Sequence, residues 1–448
     1  MPGRLLRQLR PQGVRPAVRR VLRELGAAGH RSWIVGGAVR DLLLGRVRRD
    51  PDEFDVATPA TPAEVQRLFG RVVPTGIAHG TVTVLEGGAR IEVTTFRGEG
   101  AYVDGRRPSS VTFHTDLDAD LARRDFTVNA IAWDPLAGEL RDPFEGLADL
   151  RRGVIRAVGD ARERFAEDGL RPLRAVRFAS ELGFRLQART RAAIRPSLPV
   201  VRQVSRERVA DELSRLLAGA HAPAALPLLW RTGLLGEVLS PLAGLSPARV
   251  RHAAAVAGTV AARGGGPGGR GERDPVLLRL AALLHVVSPE LAMQAVVELR
   301  LPNRLAVGVA VLLRAGPCLS TSAVRYPGLP REVRRWLSAT GRDRAPDVLA
   351  LWEADARHQG ASSRRAVADV QTLRRRVASV LRGRPALTVG ELALDGRAVM
   401  GHLGVSGPAV GEALRHLLDV VLEEPSRNEP SALREALRGW RPAPEGPA

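Results

Sequence analysis

Residues 33–58, WIVGGAVRDLLLGRVRRDPDEFDVAT, constrain the fold of this chain more than any other stretch. The apolar start predicts a short buried strand, and Gly36 and Gly37 then allow the backbone to approach a ligand closely. A helix is predicted over residues 38–44. The amide groups at a helix start attract anions, and Arg40 in the first turn adds a positive charge. This strand–turn–helix order therefore predicts a phosphate-binding site.

The segment EFDV at residues 53–56 predicts a second strand in the same unit. Side chains two residues apart on a strand project to the same side, so Glu53 and Asp55 lie together while Phe54 faces the core. Two carboxylates beside a phosphate site suit a pair of Mg²⁺ ions and indicate phosphoryl or nucleotidyl transfer. Taken singly, each pattern is also common in proteins without this function. Their combination in one short unit favours the functional interpretation.

The charge balance predicts a nucleic-acid partner. The chain has 67 basic and 48 acidic side chains, a net charge of +19, and all of its basic residues are arginines. Arginine binds phosphate with two parallel hydrogen bonds and stacks on bases. An arginine-rich codon usage explains the missing lysine, but it does not explain the excess of basic over acidic residues.

Composition also narrows the cofactors and the location. Cys318 is the only cysteine, so we expect neither a disulfide nor a zinc site. The basic start lacks the continuous apolar segment of a secretory signal, although it shares features with an arginine-rich transit peptide. No run of about 18 apolar residues occurs, so we expect no membrane partner and a cytoplasmic protein.

The segment EDGLR at residues 167–171 contains a pair suited to base recognition. Asp168 and Arg171 are three residues apart and are predicted to share one helix face. An acceptor beside a donor matches the amino group and ring nitrogen of cytosine and adenine, whereas uracil and guanine present the opposite polarity. The alternative is an ordinary salt bridge, which is commoner in general. Arg174 and Arg177 continue the same face and favour a triphosphate or an RNA backbone as their counter-ion.

Eight motifs together carry a resemblance to a known family. In chain order they are VGGAVRDLLLG, EFDVAT, GIAHGTVTV, TTFRGEGAYVDGRRP, DLARRDFTVNAIA, DPFEGLADL, RFAEDGLRPLRAVRFASELGF and SRERVADEL, and they cover residues 33 to 217. The chain resembles the class II tRNA nucleotidyltransferases, which include bacterial CCA-adding enzymes and poly(A) polymerases. The resemblance implies transfer of CMP and AMP from CTP and ATP to the 3′ end of tRNA, with two Mg²⁺ ions.

The resemblance also implies a fold and a set of site residues. The fold is an α/β head with a polymerase-β-like mixed sheet, followed by an all-α neck, body and tail. The implied domains are a basic arm and helix (1–29), the head (30–157), the neck (158–228), the body with a disordered loop near 263–273 (229–384), and the tail (385–448). The implied catalytic metal ligands are Glu53 and Asp55, and the implied nucleotide-binding residues are Gly36, Gly37, Arg40, Arg124, Asp125, Asp168, Arg171, Arg174 and Arg177. A mobile loop is expected at residues 98–108, resembling the flexible loop needed for adding the terminal A.

Two positions depart from the family pattern. Glu53 stands where the family usually has aspartate, and the nearby Asp50 and Asp52 do not keep the two-residue spacing to the second carboxylate. In addition, Val286 follows His285, where many relatives have the aspartate of a metal phosphohydrolase pair. We therefore predict that His285 has no aspartate partner and that the body is a structural remnant that serves RNA binding.

These departures leave several alternatives to CCA addition. The chain could instead be a poly(A) polymerase that uses only ATP, or an enzyme that adds only CC or only A. A catalytically inactive RNA-binding protein is the alternative from a different class. The motifs GIAHGTVTV and FRGEGAYVDGRRP favour CCA addition.

Overall fold

The computed structural model describes residues 3–46, 53–99, 111–113, 116–262, 274–315 and 326–442. The chain forms two compact units, Met1–Ala243 and Gly244–Ala448. Several sequence predictions concern positions outside the described residues, namely most of the loop at 98–108, the loop near 263–273, Asp50, Asp52 and Cys318.

The first unit is built on a mixed seven-stranded sheet with strand order β3-β4-β5-β2-β1-β8-β9. In this sheet β2 and β5 run parallel, and the other neighbours are antiparallel. Two separate pairs, β6–β7 and β10–β11, complete the strands. The strands are β1 (Trp33–Val35), β2 (Glu53–Thr58), β3 (Val72–Gly76), β4 (Thr81–Glu86), β5 (Ala89–Thr95), β6 (Arg97–Glu99), β7 (Val111–Phe113), β8 (Ala132–Asp134), β9 (Glu139–Arg141), β10 (Val154–Ile155) and β11 (Arg185–Leu186).

The sheet core follows from the alternation in the sequence. Phe54 and Val56 on β2 and Ile91 on β5 are all at most 3% exposed, so one face of these strands is buried. The strand predicted at residues 53–56 is confirmed. Strand β2 lies at the centre of the sheet, hydrogen-bonded to β5 on one side and to β1 on the other.

Helices cover the sheet and form the remainder of the first unit. Thr61 begins one of them with a capping box, in which its hydroxyl accepts from the amide of Glu64 while the Glu64 carboxylate accepts from the amide of Thr61. The helices are α1 (Gly3–Leu6), α2 (Pro16–Ala27), α3 (Gly37–Leu43), α4 (Pro62–Leu68), α5 (Leu117–Ala122), α6 (Gly146–Arg152), α7 (Ala161–Glu167), α8 (Arg171–Leu182), α9 (Ala188–Ile194), α10 (Leu198–Val201), α11 (Arg206–Ala218), α12 (Ala222–Thr232) and α13 (Leu234–Val238). The N-terminal arm contains α1, and its residue Val14 is buried, with 1% of its surface exposed.

The second unit is helical throughout its described residues. Side-chain caps from Asp274 and Ser288 begin two of its helices, each followed by proline at the first helical position. Among the described residues, every helix is too short or too polar to cross a bilayer. The helices are α14 (Pro247–Ala262), α15 (Pro275–Leu284), α16 (Pro289–Glu298), α17 (Asn303–Ala315), α18 (Pro330–Thr340), α19 (Ala345–Arg357), α20 (Ser363–Arg382), α21 (Gly396–Leu403), α22 (Pro408–Glu423) and α23 (Pro430–Ala436).

The structure corrects one prediction about the second unit. His285, at the end of α15, lies with its Nε2 atom 3.2 Å from the Oδ1 atom of Asp355 on α19. The prediction that His285 has no aspartate partner is therefore wrong. Val286 does follow it in the sequence, but packing of α15 against α19 brings in a carboxylate 70 residues away.

Candidate active site

A cleft of about 830 Å³ in the first unit collects most of the predicted site residues. Glu53 is the first residue of β2, and its side chain lies outside the described part of the structure. Asp168 and Arg171 do not line the cleft. The eight predicted residues that do line it are Gly36, Gly37, Arg40, Asp55, Arg124, Asp125, Arg174 and Arg177.

Gly36 links β1 to α3 at the wall of this cleft. Its φ angle of 72° lies in a region that side chains other than glycine rarely adopt. A Cβ atom placed on Gly36 would lie 3.0 Å from Nη1 of Arg124 and 3.3 Å from Oδ2 of Asp55. Glycine thus allows a guanidinium and a carboxylate to approach the backbone at the start of α3.

A second carboxylate that the sequence analysis missed lies in register with Asp55. Glu92 on β5 is the Cα partner of Asp55 on β2, and residues paired in register project to the same face of a sheet. Both residues are partly buried. The alternation in ARIEVTT was the available signal, since it places Glu92 opposite the buried Ile91 and Val93. This strand face therefore carries oxygen ligands of the kind that Mg²⁺ prefers.

Arg40 is held in the cleft by two neighbours. Its Nη1 atom donates to Oδ1 of Asn129 at 2.8 Å, and its Nε atom donates to Oδ1 of Asp41 at 2.9 Å. The residue is only 8% exposed. Asn129 was missed as a site residue, although it belongs to the motif RRDFTVNA. Its amide group fixes the direction of a guanidinium predicted to bind nucleotide.

Asp125 is a buried carboxylate of the cleft whose two oxygens both accept hydrogen bonds. Its Oδ1 atom accepts from the amide of Phe126 at 2.8 Å and from Nδ2 of Asn129 at 3.0 Å. Its Oδ2 atom accepts from Nε and Nη2 of Arg174 at 2.9 and 2.6 Å. Burial alone would raise the pKa of Asp125, but the charge of Arg174 and these hydrogen bonds lower the pKa to about 2.

Glu212 on α11 connects two arginines of α8. It accepts from Nη1 of Arg174 at 3.3 Å and from Nε of Arg177. Nη1 of Arg177 also donates to Glu181 at 2.7 Å. Burial would lower the pKa of Arg174, but the carboxylates of Asp125 and Glu212 raise the pKa above its ordinary value. The structure thus assigns carboxylate partners to both arginines, which the sequence analysis had matched only to phosphates.

An aromatic ring lies among the arginines. The guanidinium carbons of Arg40, Arg174 and Arg177 lie 5.1, 5.4 and 3.9 Å from the centre of the Phe178 ring. Phe178 also packs edge-to-face on Phe126, with ring centres 5.7 Å apart. Contact between cations and the face of a ring is attractive and limits hydration on that side. Phe178 therefore fixes the spacing of three cations within one cleft.

The prediction that Asp168 and Arg171 share one helix face is wrong. Helix α7 ends at Glu167, Asp168 is extended with φ of −137° and ψ of 111°, and α8 begins at Arg171. Gly169, between the two helices, packs closely on another segment, where an added Cβ would lie 2.4 Å from the carbonyl oxygen of Val200.

The two predicted base-reading side chains also have separate partners. Oδ2 of Asp168 accepts from Nη2 of Arg208 at 3.0 Å, whereas Nη1 of Arg171 donates to the carboxylate of Glu167. Nη2 of Arg171 donates to the carbonyl of Arg123 at 3.1 Å. In this conformation Asp168 and Arg171 therefore bind other protein groups and do not line the cleft.

Comparisons with known proteins agree with this architecture. The model of the poly A polymerase head domain matches residues 32–156, and that of a probable RNA and SrmB-binding site of polymerase A matches residues 183–251. The CCA-adding enzyme of Geobacillus stearothermophilus is 39% identical over 94% of this chain and 95% of its own length.

Solved structures of CCA-adding enzymes also match this chain over most of its length. The crystal structure of the Bacillus stearothermophilus CCA-adding enzyme in complex with CTP is 35% identical, covers 95% of this chain and 98% of its own, and has a TM-score of 0.71. The Thermotoga maritima CCA-adding enzyme complexed with tRNA_CCA is 20% identical, covers 94% of this chain and 94% of its own, and shares the fold with a TM-score of 0.60. The predicted α/β head with a helical remainder is confirmed. The chain is 39% identical to a relative over nearly the full length of both proteins, and its head contains the expected cleft. It therefore belongs to the CCA-adding enzyme family, the class II tRNA nucleotidyltransferases.

Proposed function

We propose that this protein adds CMP and AMP, from CTP and ATP, to the 3′ end of tRNA in the cytoplasm. The observation that carries the proposal is the cleft that Gly36, Asp55 on β2 and the arginines of α8 line together. A carboxylate for metal and a cluster of cations for a triphosphate are the two requirements of nucleotidyl transfer. Here a single cleft supplies both.

The charge of the cleft suits a polyanion. Its lining contains six arginines and four carboxylates, so the basic side chains are in excess even after every carboxylate is counted. The arginines are Arg40, Arg46, Arg124, Arg174, Arg177 and Arg215, and the acidic residues are Asp41, Asp55, Asp125 and Glu181. A triphosphate would add the negative charge that this lining lacks.

Asp55 and Glu53 are proposed to hold two Mg²⁺ ions. The donor set fits, since carboxylate oxygens are hard ligands and Asp55 lies against the close-packed backbone of Gly36. When bound, such ions lower the pKa of the 3′-hydroxyl and stabilise charge on the leaving pyrophosphate. Glu92, the register partner of Asp55, is a further candidate ligand on the same strand face.

The remaining residues orient the substrates. Arg124 lies beside Gly36 and is held by Asp120 at 3.3 Å, so it can reach the ribose or phosphates near the metal carboxylates. Asp125 fixes Arg174, and Asn129 fixes Arg40. These contacts hold the guanidinium groups in position before the nucleotide binds, which reduces the entropy lost on binding.

Base selection is proposed for Asp168 and Arg171 acting together. Each would have to leave its present partner, Arg208 or Glu167, before it could pair with a base. An acceptor and a donor side by side would then admit cytosine or adenine. This exchange makes base choice dependent on a local rearrangement at the junction of α7 and α8.

The test uses a tRNA transcript that lacks its terminal CCA. The protein is incubated with this tRNA and each labelled nucleotide alone, then with CTP and ATP together, and the 3′ ends are sequenced. We expect two C residues with CTP alone and a final A only after CC. Addition of many A residues to any 3′ end would instead identify a poly(A) polymerase, and CC or A alone would identify a partial enzyme. No incorporation by the folded protein would indicate an inactive RNA-binding protein.

A further inference from the structure

A second cavity in the first unit lies apart from the candidate active site. Its volume is about 640 Å³, and of the described residues that line it, none lines the cleft. Its walls come from the segment before α6 and from the first turns of α7 and α9, through Phe144, Arg162 and Arg189. Cavities of this size are typical of sites for small molecules. Nucleotidyl transfer in the cleft leaves this cavity without a role.

The acidic side chains of the cavity are already used by groups of the protein. Oε2 of Glu145 accepts from Nη2 of Arg156 at 3.1 Å, and Nε of Arg156 donates to the buried Asp149 at 2.7 Å. Oδ1 of Asp160 accepts from two amides in the first turn of α7, at 2.8 and 3.2 Å, and so caps that helix. Both acidic residues in the described lining therefore have partners.

Two arginines of the lining differ from Arg156 in this respect. Within the described parts of the chain, the guanidinium groups of Arg162 and Arg189 make neither a hydrogen bond nor an ion pair. Both residues are exposed, so a ligand can reach them from solvent. The charged side chains of the lining that lack a protein partner are therefore both cations, and they favour an anion.

The backbone beside the cavity has an unusual conformation. Glu145 has φ of 61° and ψ of 29°, a left-handed conformation that is uncommon for residues other than glycine. Strain of this kind is concentrated at ligand sites. The carbonyl of Phe144 accepts from Nη2 of Arg156 at 3.1 Å, and the Phe144 ring packs on the core of the head. This wall is thus held in place before a ligand binds, which limits the entropy lost on binding.

The segment 125–129 separates the cavity from the cleft. Thr127 lines the cavity, whereas Asp125 and Asn129 line the cleft. The amide of Thr127 donates to the carbonyl of Arg156 at 2.9 Å, and its hydroxyl donates to Asp149 at 2.6 Å. A ligand in the cavity would therefore lie on the opposite side of this segment from the nucleotide. The two sites can be occupied together.

We propose that this cavity binds a small phosphorylated ligand, with Arg162 and Arg189 on its phosphate group. Guanidinium groups match phosphate oxygens in geometry and charge. Phe144 provides an apolar wall for the remainder of the ligand. An RNA backbone would need a continuous basic groove, whereas a cavity of this volume suits a small molecule. The proposal does not depend on the nucleotide addition proposed for the cleft.

The first experiment counts pyrophosphate sites by equilibrium dialysis of labelled pyrophosphate against the full-length protein with Mg²⁺. Pyrophosphate has no base, so base recognition cannot contribute to its binding. The wild type is compared with the double variant Arg162→Gln/Arg189→Gln, whose exposed positions favour normal folding, which circular dichroism checks. We expect the variant to lose one equivalent, whether or not the cleft binds another. Equal numbers of sites and equal affinities in the two proteins would overturn the proposal.

Single variants locate the site. Arg189→Gln should weaken the affected site about tenfold or more, because it removes a charge-assisted hydrogen bond. Arg191→Gln, at an exposed arginine of α9 that does not line the cavity, is the matched control and should bind pyrophosphate as the wild type does. Equal weakening by both variants would indicate general attraction to a positive surface and would contradict the site.

Filter binding of tRNA tests the other source of phosphate. We expect the double variant to bind tRNA as tightly as Arg191→Gln does. A double variant that keeps every pyrophosphate site but binds tRNA more weakly than this control would assign the two arginines to the RNA backbone. That result would overturn the proposal of a small ligand.

Discussion

Arg174 donates from both Nε and Nη2 to one carboxylate oxygen of Asp125, at 2.9 and 2.6 Å. The other oxygen of Asp125 accepts from Phe126 and Asn129. Both oxygens of the ionised carboxylate thus accept hydrogen bonds, and the two from Arg174 connect the RRDFTVN segment to α8. This connection makes the cleft sensitive to the protonation of one buried residue.

The free energy of unfolding should therefore fall in acid through Asp125. Its folded pKa of about 2 is below the ordinary pKa of 3.8 for aspartate, so the stabilisation is fully present above about pH 4 and is lost as pH falls through 2. The whole effect is about 2 kcal/mol, and about 1 kcal/mol is lost by pH 3. Urea unfolding at several pH values would measure it. Asp125→Asn should show a shallower pH dependence, and identical slopes would contradict the assignment.

Gly36→Ala should damage catalysis more than stability. The added Cβ would meet Arg124 and Asp55 at 3.0 and 3.3 Å and would displace the groups proposed to bind metal and nucleotide. A displacement of this kind costs about a hundredfold in kcat/KM. Gly159→Ala is the matched control, because Gly159 has a similar φ of 66° but no atom within 4 Å of the added Cβ. Both variants should lose about 1–3 kcal/mol of stability because alanine is strained at a positive φ, and equal loss of activity would contradict the prediction.

Asp55→Asn should abolish nucleotide transfer while tRNA binding persists. The substitution keeps the size of the side chain and removes the charge that would hold the metal. Loss of several kcal/mol of metal stabilisation predicts at least about a thousandfold lower kcat. Single-turnover incorporation and tRNA filter binding measure the two properties separately. Near-normal turnover would show that the metal assignment is wrong.

Glu53→Asp should keep or raise activity. Aspartate is the usual residue at this position in the family that the chain resembles, and its carboxylate remains able to bind a hard cation. Steady-state kcat with CTP measures the effect. An inactive but folded variant would show that the surroundings of β2 require the longer side chain.

Asp168→Ala should reduce nucleotide selection. Loss of a hydrogen bond to a charged group costs about 1.5–3 kcal/mol, so incorporation of CTP and ATP should fall roughly ten- to a hundredfold and their advantage over UTP and GTP should narrow. Arg208→Gln removes the present partner of Asp168 but keeps the carboxylate, so it should preserve the selectivity. Measuring kcat/KM for all four nucleotides separates the two variants. A structural salt bridge alone predicts unchanged nucleotide ratios in both.

The sequence was sufficient where the signal was local. The order of β1, Gly36, α3 and β2 follows from apolar alternation and from the glycines between the elements, so the structure matches it closely. Four of the six arginines that line the cleft were also predicted, because they lie within short motifs. Contacts between distant segments were not accessible in this way. Glu92, Glu212 and Asp355 contribute through strand register or helix packing, which spacing along the chain does not reveal.

The prediction that Asp168 and Arg171 share a helix face was wrong for the same reason: spacing along the chain does not reveal contacts between distant segments. A spacing of three residues indicates a common face only if the helix is continuous, and the sequence around Gly169 does not state whether it is. At the break Gly169 packs closely on the carbonyl of Val200, 31 residues further along the chain. The local pattern therefore predicted a continuous helix where the backbone is interrupted.

The carboxylates around α8 make nucleotide binding an exchange of counter-ions. Asp125, Glu181 and Glu212 already neutralise Arg174 and Arg177 within the protein. A triphosphate entering the cleft would compete with these internal anions for Arg174 and Arg177, so fewer dissolved ions would be released at these two arginines. Their contribution to nucleotide affinity should therefore depend less on ionic strength than that of arginines without a carboxylate partner. Binding of tRNA to exposed arginines releases condensed ions, so salt separates the two substrates of one protein.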